Sequence, residues 1–281
     1  MKIYSLTAEH WKMDGGSCFG IVPKTMWRKF VQADENNRIT ITSRCLLVQD
    51  ENRLILFDTG MGNKQSEKFY TFVEPFNAQN LVADIRKAGF APENITDIVF
   101  THLHWDHTGG ATEYDAQGNI REVFPSAQYW CSRSGWESAL NPNPREEKGF
   151  DLQDLLPLKE SGRLNFIEED QWFTKNIEFR IFNGHTDGLI VPFLHDENRT
   201  FVFLSDFIPS SAHFPLAFVA PQDIRPLVTI AEKKAFLEEA VEKNYYLIFI
   251  HDYLRECCTV KRTEKGVGVD RFYRVEDLQG L

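Results

Sequence analysis

Apolar positions along the chain fall into short blocks separated by polar turns, and most blocks have the length of a strand. Residues 2–6 predict a first strand, and residues 17–22 (SCFGIV) a second, set off by Asp14-Gly15-Gly16 and closed by Pro23. Residues 39–48 and 53–57 (RLILF) predict strands on either side of a turn at Glu51-Asn52. Further strands are expected over 95–100, 119–124, 128–131, 164–167, 177–182, 191–195, 200–204 and 247–250, with a hairpin near Gly266 to Gly268. Helical spacing marks residues 77–89, where Leu81, Val82, Ile85 and Ala88 share a face and Gly89 ends the run. Residues 132–140 predict a second helix. Residues 229–243 predict a third, with a capping box from Thr229 and Glu232 and a buried face of Ile230, Phe236, Leu237, Ala240 and Val241. A strand, a helix and a returning strand at 95–100 imply that part of the sheet is parallel. Residues 145–160 are charged and weakly patterned, and read as an insertion or lid or as a surface connection.

Several predicted strands end in residues that carry chemistry. Thr101 to Gly110 reads THLHWDHTGG. On an extended backbone His102, His104 and Asp106 face one side. His107 is offset by one, unless the chain turns there. A turn would let the stretch give two ligands to one metal and two to a neighbour. Imidazole and carboxylate together suit zinc, and also manganese, iron or cobalt. RLILF runs into Asp58-Thr59-Gly60, and TFVFL runs into Ser205-Asp206, a faint internal repeat. His185 and His251 also follow apolar strands.

HLHWDH resembles the signature of the metallo-β-lactamase superfamily of binuclear metallohydrolases. The resemblance extends to Asp58-Thr59-Gly60, to Gly184-His185-Thr186 and to the strand ends at Asp206 and His251. It implies an α/β (α+β) fold, a four-layer αβ/βα sandwich of two mixed β-sheets flanked by helices, as a single domain over residues 1–281. It also implies two divalent metal ions, Zn2+ first, with Mn, Fe or Co as alternatives. His102, His104 and His185 would hold one ion, Asp106, His107 and His251 the other, and Asp206 would bridge them. Asp58 would support a ligand histidine from behind, with an N-cap or turn role as the alternative.

Within that superfamily the order GSCFGIVPKTMW, DTG, HLHWDH, SDFIPSSAHFP is most similar to the lactonase and organophosphate-hydrolase branch. The expected reaction is cleavage of a lactone, aryl ester or phosphotriester by a metal-bridging hydroxide, with Asp106 steering it and passing a proton to the leaving group. Pocket-wall candidates are Phe19, Trp27, Trp105, Phe207 and Phe214, each of which also suits core packing, and His213, which equally suits an ordinary loop histidine. Alternatives are a mononuclear iron oxidoreductase on the same frame and a thioesterase of glyoxalase II type. The latter would want a basic cluster such as Lys261, Arg262 and Lys265.

Charge and cysteine usage narrow the partners. A net charge of −10 disfavours nucleic acid, which is gripped through phosphates by Lys and Arg. Five cysteines without CxxC spacing argue against a disulfide framework and point to reduced thiols in the cytoplasm. No apolar run approaches the roughly twenty residues of a membrane span. The expected partner is a small-molecule substrate, with no nucleic acid and no membrane, and a homodimer is compatible with the sequence.

Overall fold

The computed structural model describes residues 1–76 and 81–278. The chain divides into two compact units, one of Met1–Trp11 with Thr42–Glu169 and one of Lys12–Ile41 with Asp170–Leu281.

The first unit is built on a six-stranded mixed sheet. Its strands run, edge to edge, Lys2–Asp14, Arg38–Asp50, Arg53–Phe57, Asp97–Val99, Gln128–Ser132 and Leu164–Ile167. The last four pair in parallel. Parallel strands are covered on both faces, which is why RLILF and its neighbours are continuously apolar rather than alternating. Leu56, Ile98 and Tyr129 pack with Ile85 of helix Leu81–Lys87 and Trp136 of helix Arg133–Leu140. Residues 77–80, where the sequence predicts the start of the first of these helices, lie outside the described residues.

The second half of the 145–160 stretch is regular structure packed on the core. Leu152–Glu160 is a helix, begun by the Asp151 carboxylate accepting from the Gln153 N–H, and it places Leu155 and Leu158 in the core. An internal proline, Pro157, hides its period in the sequence. Its Asp154 meets the Lys64 ammonium at 2.9 Å, and both side chains are 1% exposed.

The second unit carries a seven-stranded sheet. Its order is Gly266–Tyr273, Cys257–Thr263, Tyr246–Ile248, Arg199–Phe203, Leu189–Asp196, Ile177–Phe182 and Gln171–Trp172. All neighbours are antiparallel except Arg199–Phe203 with Tyr246–Ile248. Helix Pro226–Lys243 buries Phe236, Leu237 and Ala240 against Val191, Phe193, Leu247 and Phe249.

Two local expectations fail here. Residues 17–22 are not a strand. Asp14 accepts from the N–H groups of Gly16 and Ser17 and starts a helix, Gly15–Phe19, which Gly20 ends at φ +55°. N-capping of this kind outweighs the β-like composition of SCFGIV. The capping box at Thr229 and Glu232 is also absent, because the helix begins three residues earlier, at Pro226. Glu232 turns instead to the loop that carries His185, and Thr229 to Asp223, as described below. All five cysteines are buried and unbridged. Among the described residues no helix is long and apolar enough to cross a membrane.

Candidate metal centre

In the first unit the strand Asp97–Val99 runs into His102 and His104, and the chain then turns into the short helix Trp105–Thr108. That turn brings His107 round to the other ligand candidates. The His102 and His107 rings lie 3.9 Å apart, and His107 Nε2 is 3.6 Å from the Asp106 carboxylate. His102 Nε2 and His104 Nδ1 face each other at 3.0 Å. Two imidazole nitrogens so close share either one proton or one cation. All four side chains are buried.

Asp58 locks this arrangement from behind. One oxygen accepts the Thr101 N–H at 2.8 Å. The other accepts the Thr101 hydroxyl at 2.7 Å and meets His107 Nδ1 at 3.0 Å. His107 therefore carries its proton on Nδ1 and keeps Nε2 as an electron-pair donor. The two glycines after the motif are steric requirements. A Cβ on Gly109 would run into the Met61 carbonyl, and one on Gly110 into that of Thr59. Lys64 closes the turn by donating to the carbonyls of Gly109 and Thr112.

In the second unit three more candidates meet. Asp206 lies between two histidines, with one oxygen 3.3 Å from His185 Nε2 and the other 3.0 Å from His251 Nε2. His185 Nδ1 is 2.8 Å from Asp223, whose other oxygen accepts the Thr229 hydroxyl at 2.7 Å. Glu232 accepts the N–H groups of Asn183 and Gly184. Sequence reasoning missed Asp223, because 38 residues separate it from His185 and no pattern links them. The strand-end repeat does have a structural counterpart. Asp58 and Ser205 both take left-handed backbone, φ +59° and +46°, where an apolar strand gives way to its functional loop. Such strain is held only where surroundings enforce it.

Buried imidazoles beside carboxylates, two of them, His107 and His185, with Nδ1 fixed by an outer carboxylate, fit divalent ions such as zinc. The donors of each unit match that chemistry.

The wall candidates separate. Trp105 is half-buried against Trp11 and Phe69, with ring centroids 5.3 and 4.8 Å away. Phe207 and Phe214 belong to the core of the second unit. Phe19 is sandwiched between Trp27 at 5.2 Å and His213 at 4.7 Å. His213 itself is tied on both nitrogens, to the Ser210 hydroxyl at 2.8 Å and the Cys18 carbonyl at 2.9 Å. It braces the fold rather than standing open to a substrate. The loop beyond it is held by Lys233, a buried lysine whose ammonium donates to the carbonyls of His213, Pro215 and Phe218. The C-terminal basic cluster is neutralised in part, since Lys261 pairs with Asp270 and Arg262 with Glu238 and Glu242.

Burial holds His213 neutral and lowers its pKa to about 4. The unfolded chain takes up that proton near pH 6.5, so acid favours unfolding. Stability from this residue is complete above pH 6.5 and drains away toward pH 4, by at most about 3 kcal/mol. Urea unfolding of chelated protein at pH 7.5 and 5 should show this loss, and His213→Gln should lack that component. Equal pH slopes in both proteins would contradict it.

A sequence model described as the Metallo-beta-lactamase superfamily matches residues 40–241. The chain belongs to this superfamily. As a metallo-β-lactamase-fold hydrolase it has lactonases among its relatives. An N-acyl homoserine lactonase of Bacillus thuringiensis is 27% identical over 230 residues, spanning 75% of this chain and 82% of that protein. A Staphylococcus aureus structure, described as a probable metal-dependent hydrolase, superposes with TM-score 0.88 at 26% identity, covering 96% of this chain and 95% of the other. AidC, a dizinc quorum-quenching lactonase solved with a product, superposes with TM-score 0.78 at 23% identity, covering 97% and 95%, a likeness of fold.

Proposed function

We propose that this metallo-β-lactamase-fold enzyme hydrolyses small, largely apolar lactones, with aryl esters and phosphotriesters as secondary substrates. The observation that carries the reading is Asp206, a carboxylate set between His185 and His251 in a chain of this superfamily. Relatives that are N-acyl homoserine lactonases support the substrate class. The residues proposed to hold the metal ions are His102, His104, Asp106, His107, His185, Asp206 and His251, with zinc as the first expectation. When bound, the two ions supply Lewis-acid polarisation of the attacked carbonyl and lower the pKa of water to about 7.

The protein's own residues do the rest. Asp58 and Asp223 hold protons on Nδ1 of His107 and His185, which keeps each Nε2 available as a donor. Asp106, beside His107, orients the attacking water and passes a proton to the leaving oxygen. In a lactone that oxygen stays tethered to the acyl group, so one carboxylate serves both events. Trp105, half-buried with Phe69 on its edge, is the wall residue best placed to meet an apolar substituent. The net charge of −10 disfavours polyanionic substrates at long range.

Turnover of lactones, aryl esters, phosphotriesters, phosphodiesters and thioesters at matched concentration, with metal restored, tests the reading. Lactones should rank first. Phosphodiester or thioester cleavage without lactone cleavage would sink it.

A further inference from the structure

Resting on the metal-binding reading above, the structure assigns a positioning role to Glu146. We propose that its carboxylate is the outer partner of His104, fixing that imidazole and setting the affinity of the one metal ion His104 holds. Metal-bound histidines usually donate their remaining N–H to a carboxylate, carbonyl or water. His107 and His185 point Nδ1 at Asp58 and Asp223. His104 is turned the other way. Its Nδ1 faces His102 at 3.0 Å, and its Nε2 lies 3.7 Å from Glu146 Oε1.

Glu146 is built into place rather than lying there by chance. Its side chain is 2% exposed, and a carboxylate is costly to bury without a compensating charge or donor. Asn143 grips it, donating through Nδ2 to the other carboxylate oxygen and accepting the Glu146 N–H. The surrounding loop wraps the imidazole. Trp105 donates to the Gly149 carbonyl at 2.8 Å, His104 bridges to Phe150, and a Cβ on Gly149 would stand 2.8 Å from His104 Cδ2. Residues 143–150 are thus the seat of one ligand. The 3.7 Å separation is an ionic approach rather than a hydrogen bond, and the proton that a bound cation leaves on Nε2 would face that carboxylate.

The test is competition of chelated protein with a chromophoric zinc indicator, for the wild type, Glu146→Gln, Glu146→Ala and the exposed control Glu147→Gln. Glu146→Ala should weaken one of two zinc sites by about 10- to 100-fold, and Glu146→Gln by less, because the amide oxygen still accepts. The second site and the control should stay within about threefold of wild type, a margin well below the loss expected for an outer partner. Proton NMR of the zinc-loaded protein should show one imidazole N–H resonance moved in Glu146→Gln, a change that a purely structural residue would not produce. This readout decides the matter if the alanine variant does not fold. Wild-type affinity at both sites in both Glu146 variants, or equal weakening of both sites, would overturn the proposal. A wild-type protein that binds no zinc would instead defeat the metal-binding reading on which it rests.

Discussion

Asp206→Ala is expected to lower metal content below that of the wild type and to cut lactone hydrolysis by about a thousandfold or more. The wild-type carboxylate gives one oxygen to each of two histidine neighbours. Alanine removes both contacts and leaves the cations proposed here facing one another with less negative charge between them. Metal ions supply several kcal/mol of charge stabilisation in such hydrolases, and each 1.4 kcal/mol or so is a factor of ten in rate. Metal analysis and initial rates with zinc restored check both halves. His213→Gln should leave metal content intact, because both ring nitrogens are spent inside the fold. Equal metal loss in the two variants would break the assignment of Asp206 as a ligand.

Lys64→Met should strongly destabilise the first unit. The ammonium pairs with Asp154 at 2.9 Å and also donates to the carbonyls of Gly109 and Thr112, all out of solvent. Methionine fills most of the space but strands a buried carboxylate and two carbonyls. Breaking one side of a buried pair typically costs about 3–5 kcal/mol. For a protein of this size that lowers the melting temperature by roughly 10 °C. Lys64→Met with Asp154→Leu should recover much of the loss, since replacing both charges by apolar groups is often neutral. Calorimetry of the single and double variants measures it. A single variant within about 2 °C of wild type would show that the pair contributes little.

Several strands and the candidate residues at their ends were legible in the sequence because an apolar run stops where a polar loop begins, as in RLILF before Asp58 and LIFI before His251, whereas IEFRIF before His185 is interrupted by Glu178 and Arg180. What could not be read depended on distant partners. Asp223 becomes the mate of His185 only through tertiary folding. Glu232 has the spacing of a capping box yet reaches Asn183 and Gly184. Lys64 and Lys233 look like surface lysines until the fold surrounds them with carbonyls. Glu146 sits in a charged stretch that reads as a solvated loop, and only its packing against His104 separates it from Glu147.

The proposed lactone hydrolysis depends on two metal ions. The measurement that tests it most directly is titration of zinc into chelated protein while following hydrolysis of an N-acyl homoserine lactone. No turnover is expected without metal, followed by a rise that levels off at two equivalents of zinc per chain. Full turnover in the chelated protein, or none at two equivalents while zinc is bound, would contradict it.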